Sequence, residues 1–167
     1  MSLIDQTYFI GGLTIPNLGG VGIVPAANVE KLNWFIATYE PQYLCLVLGE
    51  TLYNAFVAGL KVVPNEARWQ DLKSKFVDDQ SHISPIAGFV YYHHMRDRLS
   101  STTAQGEVQQ AQENAQVVIN TDKMSLAYKK SMRTGTIIRS FLKDNVAYPE
   151  YKPEELEELS LVNNFGI

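Results

Sequence analysis

The stretch FVYYHHMRD (89–97) sets two adjacent histidines, His93 and His94, beside Tyr91, Tyr92, Arg96 and Asp97. These are side chains that hold metals or move protons near neutral pH. On a helix, however, adjacent residues differ by about 100° in direction, so the two rings diverge and cannot easily share one ion. Zinc-binding helices place histidines at i and i+4, commonly with a glutamate between them. Here the residue at i+4 from His93 is Asp97, which allows a His–Asp pair but leaves a third ligand to come from elsewhere. The pattern predicts a packed helix, with a metal-dependent enzyme using His93 and Asp97 as the weakest reading.

Other candidates for chemistry have structural explanations of their own. The glycines of NLGGVGIVP (17–25) suggest a phosphate loop, yet no Lys-Ser/Thr ending follows, and Pro25 stands where the helix should open. Among the carboxylates Glu50, Asp78, Asp79, Asp97 and Glu113, Glu50 follows Gly49 at the start of a helix, where it offsets the macrodipole. Glu113-Asn114 is odd mid-helix, because asparagine favours caps and turns, and it predicts a contact with another helix. No Ser–His–Asp arrangement can be assembled from these positions. No catalytic residue, metal ligand or cofactor is therefore assigned. Cys45, the only cysteine, lies in the apolar run YLCLVL (43–48) as a small buried thiol and fits a reducing compartment.

The elements that position these residues are helical. A chain of 167 residues is about one domain. Residues 1–27 mix Tyr8, Phe9, Ile10 and Ile15 with chain-breaking glycine and proline, which predicts an extended arm lying on this domain or on a neighbour. No charge occurs from Gln6 to Val29, but the same breakers interrupt that run too often for a membrane span. The first residues also lack the positive start of a signal peptide, so the chain reads as soluble. Asn28 then reads as an N-cap. Val29, Leu32, Ile36, Tyr39, Tyr43 and Val47 recur at helical spacing, with a kink or break expected at Pro41. Gly49 suits a C-cap, and Glu50–Val57 begins a second helix. Asn65 and Glu66 open a third, with Trp69, Leu72 and Phe76 on one face. Ser84-Pro85 starts a fourth over about 85–99, apolar on most sides and hence central. SSTTAQGE (100–107) reads as a polar loop. A long helix is expected from Glu107 towards Asn145, with a break near Thr134-Gly135-Thr136. A short acidic helix over Glu154–Leu161 closes the pattern. The expectation is an all-α bundle of five to six helices over 28–151, with the arm 1–27 before it and an acidic tail 152–167 after it.

Charge says more about function than the histidines do. The net charge of −4 argues against a general nucleic-acid binder. Yet Lys123, Lys129, Lys130, Arg133, Arg139 and Lys143 succeed one another with no acid before Asp144, and Arg133 and Lys143 share helix faces with Lys129 and Arg139. Glu150, Glu154, Glu155, Glu157 and Glu158 form the acidic counterpart. Two solvated faces are one reading. The sharper one is a head-to-tail contact between copies, which can close into a ring. A basic wall facing DNA is the weakest.

The order of YEPQYLCLVLGETLYNAF (39–56), WQDLKSKF (69–76), SPIAGFVYYHHMRD (84–97), TTAQGEVQQAQENA (102–115) and YPEY (148–151) resembles prophage proteins. These are similar in outline to tailed-phage head–tail connector proteins, also called adaptor or head-completion proteins. The resemblance covers most of 28–151, and none of its motifs is catalytic. It implies a small helical subunit of the virion neck, made in the bacterial cytoplasm and assembled as a ring below the portal. Its partners would be further copies of itself, the portal and tail-completion proteins, with DNA passing unspecifically through the ring and no membrane involved. The glycine-rich arm departs from the pattern. On this reading the interface residues are Tyr8, Phe9 and Ile15 in the arm, Lys129, Lys130, Arg133 and Arg139 in the basic set, and Glu154 and Glu155 in the tail. A helical ligand-binding or regulatory domain, with a pocket near Tyr91–Met95, is the alternative.

Overall fold

Periodic apolar residues over most of the chain give helices that bury one stripe against the next. The computed structural model describes residues 2–19, 22–64, 66–99, 101–103, 106–108 and 121–160. Among them are five α-helices: α1 (Ile23–Leu48), α2 (Glu50–Gly59), α3 (Ala67–Phe76), α4 (Pro85–Leu99) and α5 (Thr121–Lys143). A three-residue hairpin, β1 (Ser101–Thr103) against β2 (Gly106–Val108), is antiparallel, with Ser101 opposite Val108. The chain is an all-α bundle, as its periodicity predicts.

Helix α4 occupies the middle and packs against both α1 and α5. Its residues 86–92 are buried without interruption, which fits a helix with no polar stripe. Gly88 makes the α4–α5 approach possible, since a Cβ there would lie 2.5 Å from Ser131 Oγ and 3.1 Å from the Ala127 carbonyl. The Tyr43 hydroxyl donates to the Ser131 carbonyl at 2.6 Å and so ties α1 to α5. Trp69, Leu72 and Phe76 of α3 are all buried, as their spacing predicts. Gly49 takes φ of 76°, a left-handed conformation, and turns α1 directly into α2.

The boundaries differ from expectation in instructive places. Helix α1 begins at Ile23 rather than after Asn28, because Pro25 falls in the first turn, where no backbone donor is needed. Asn28 instead donates from Nδ2 to the Asn17 carbonyl at 3.2 Å. The helix also runs through Pro41. Ala37, whose carbonyl loses its partner there, is exposed and can be hydrated. No break occurs at Gly135, and α5 is continuous to Lys143. The hairpin takes up the expected polar loop and helix start around Glu107, while residues 109–120, Glu113 and Asn114 included, lie outside the described residues. Among its described residues the acidic tail forms only a 3₁₀ turn, Pro153–Glu155, and Leu161 lies outside them.

Residues 2–19 carry no α-helix but two 3₁₀ turns, Gln6–Tyr8 and Gly11–Leu13. Leu3, Ile4, Tyr8, Phe9 and Ile15 are buried in the same core as the helices. Burying each such side chain contributes about 1.5–3 kcal/mol, enough to hold this segment on the bundle.

Candidate functional site

The histidines of α4 can be placed first. His94 is 4% exposed and meets Phe35 edge-on at 5.1 Å. His93 stacks face to face on Tyr39 at 4.0 Å and touches Phe89 and Tyr92 by its edges. Burial, with Arg96 near one ring and Arg98 and Lys31 near the other, pushes both imidazoles down to about 4. Their buried His93 Nε2 and His94 Nδ1 have no hydrogen-bond partner. Asp97 is paired with Lys31 at 2.7 Å. A shallow cavity of about 290 Å³ opens between Trp34, Phe35, Tyr39, His93, Arg96 and Asp97, close to where a Tyr91–Met95 pocket was expected. Among the described residues, no three His, Cys, Asp or Glu side chains gather to hold a metal ion. Within those same limits, no helix is long and apolar enough to cross a membrane.

The expected arm interface is an internal one in this chain. Tyr8, Phe9 and Ile15 are each about 95% buried by the chain's own bundle. The Tyr8 hydroxyl donates to Asp79, and burial together with that carboxylate raises its pKa. Sequence reasoning missed the residue that anchors the segment, Glu40. Its carboxylate accepts from Ser2 Oγ (2.7 Å), the Leu3 amide (2.8 Å) and the Ile4 amide (3.4 Å). Burial raises its pKa, and these three donors work against that rise. A signal was present, since Glu40 falls on the apolar stripe between Ile36, Tyr43 and Val47.

The charged residues of α5 divide into two groups. Lys130 and Arg133 are exposed, and Lys129 is half-buried. Lys123 stands over the Tyr91 ring at 5.7 Å. Arg139 belongs elsewhere, because its guanidinium donates to the Leu46 carbonyl at the end of α1 and, at 2.7 Å, to the Glu157 carbonyl. Burial lowers its pKa, and its Nε has no partner. Arg139 is thus a clamp that holds the C-terminal segment on the bundle, a role that its place in a basic run does not reveal. Leu156 and Leu159 pack under the same segment, against Gly49 and Gly135. Glu154, Glu157 and Glu158 remain exposed, and the Glu155 side chain is outside the described residues.

Lys130 and Arg139 lie on opposite sides of α5. Arg139 follows Lys130 by nine residues, which at 100° each places it about 180° around the helix axis. One flank presents the exposed cations Lys130 and Arg133, and the other an anchored acidic segment. Comparison with known proteins finds no matching family model, curated protein or solved structure.

Proposed function

We propose that this protein is a non-enzymatic structural subunit, a head–tail connector that assembles as a ring between the portal and tail of a tailed phage. The observation that carries the reading is that exposed cations and exposed carboxylates are held apart on one body. Lys130 and Arg133 stand exposed on α5, while Arg139, about 180° around the helix from Lys130, holds the segment that carries Glu154, Glu157 and Glu158. Complementary patches on opposite sides of one rigid body favour a heterologous contact, and such contacts close into rings when the rotation allows. The succession of motifs over 28–151 that resembles connector proteins supports the same reading. So does the tight helical core, which gives the two flanks a fixed relation to each other. DNA passage through the ring and location in the virion neck follow from the proposal.

Native mass spectrometry or mass photometry tests it, at high protein concentration and with a portal ring added. The expected result is a closed oligomer, or a stoichiometric complex with the portal, that weakens as salt rises. A chain that stays monomeric in every condition, portal included, overturns the proposal.

A further inference from the structure

A groove of about 750 Å³ runs between the Gly12-Leu13 turn, the end of α3, the start of α4 and one flank of α5. Its floor is apolar, with Phe76, Val77, Pro85 and Ala127 among the lining residues, and Ile83 and Leu126 stand exposed at 66% and 50%. Its rim is basic, because Lys75, Lys123, Lys130 and Arg133 all line it. Asp78 is the one carboxylate there among the described residues, and its oxygens already accept from Gln80 and Ser81. Lys75 is engaged with Asp71, whereas Lys130 and Arg133 have no ion-pair partner among the described residues. Ser84 and Pro85 add the N-terminal end of α4, whose dipole also favours negative charge. An apolar floor beneath a cationic rim selects a partner that is acidic and apolar together.

Resting on the assembly reading above, we infer that this groove receives the acidic C-terminal end of a second copy of the chain. The charges match, since Glu154, Glu157 and Glu158 are exposed and no cation pairs with their carboxylates among the described residues. The sequence then continues into Leu161, Val162 and Phe165, the apolar side chains that such a floor takes. Within one molecule the described part of the segment lies away from the groove. Arg139 holds the Glu157 carbonyl, and Leu159 sits against Gly135, so the segment is fixed across α5 from the groove. A contact that is complementary but not made within one molecule propagates from copy to copy, head to tail.

Charge reversal in the full-length chain tests this. Lys130→Glu/Arg133→Glu alters the groove, and Glu154→Lys/Glu157→Lys/Glu158→Lys alters the segment; all five side chains are exposed, and thermal melts check that each variant folds. Each set alone is expected to weaken self-association by at least about tenfold, and the two combined in one chain to restore it. Self-association that neither set changes overturns the groove assignment; a closed oligomer would then still stand, but through a contact other than these charges. Loss with the groove set alone, the segment set being neutral, overturns the assigned occupant. A native chain that is monomeric with and without portal overturns the assembly reading, and this inference with it.

Discussion

The buried histidine pair predicts a specific acid lability. In the unfolded chain each imidazole has a pKa near 6.5, and in the folded chain burial holds it at about 4. For a base with a depressed folded pKa, the unfolded state binds more protons, so stability rises with pH. It is fully present above about 6.5 and is lost as pH falls from there towards 4. At about pH 5, linkage gives a loss of roughly 2 kcal/mol for His94 and less for the half-buried His93, or about 3 kcal/mol together. Two other groups of carboxylates must be separated from this. Hydrogen bonds lower the pKa of Asp5, Asp78 and Asp79, whose losses fall mainly below the window. Glu40 is raised and slopes the opposite way, its contribution being lost as pH rises. Comparison with His93→Phe/His94→Phe cancels these terms, and phenyl rings keep the contacts with Tyr39 and Phe35. Urea unfolding followed by tryptophan fluorescence at about pH 7.5 and about pH 5 measures the difference. The native chain is expected to lose about 3 kcal/mol more than the variant. Parallel losses would mean that the imidazoles are not held neutral by the core, and the packed-helix reading of α4 would fail with them.

Three further perturbations probe the scaffold. Glu40→Ala leaves the Leu3 and Ile4 amides without their acceptor, and an expected loss of about 2 kcal/mol should appear with faster hydrogen exchange over residues 2–9. Unchanged exchange there would show that Glu40 does not anchor the segment. Gly88→Val drives a side chain into Ser131 and the Ala127 carbonyl, and it should destabilise by about 2–3 kcal/mol in denaturant titrations. Arg139→Lys replaces a fork with a single ammonium that cannot reach both Leu46 and Glu157, so limited proteolysis should cut the C-terminal segment several-fold faster. An unchanged cleavage rate would remove the clamp.

Much of the fold was legible because periodicity and burial obey the same geometry. The stripe Trp69, Leu72, Phe76 and the apolar run of α4 give their helices and faces directly. Local propensity misled where packing overrides it. Pro41 and Gly135 read as breaks, yet both helices continue, because an exposed carbonyl at Ala37 can be hydrated and a glycine at 135 lets α5 approach Val47 and Tyr43. The N-terminal segment was legible as apolar and non-helical, but its docking surface was not. That surface is assembled from Glu40 and Asp79, distant in sequence from one another and from the residues they hold.

The candidate site shows the same division. A count of basic residues treats Arg139 and Lys130 alike, and only the fold separates a clamp from a free cation. Once that separation is made, Arg139 leaves the basic face and joins the packing of the C-terminal segment. Arg139 holds the acidic segment at the Glu157 carbonyl and donates its other bond to Leu46 near the α1 terminus. Gly49, which ends α1 there, also accommodates Leu156 of the same segment. The LGETLY turn, one of the motifs on which the proposed likeness to connector proteins rests, therefore helps to build the seat of the segment through which copies are proposed to join. A motif without catalytic residues can in this way be tied to function through the surface that it props up.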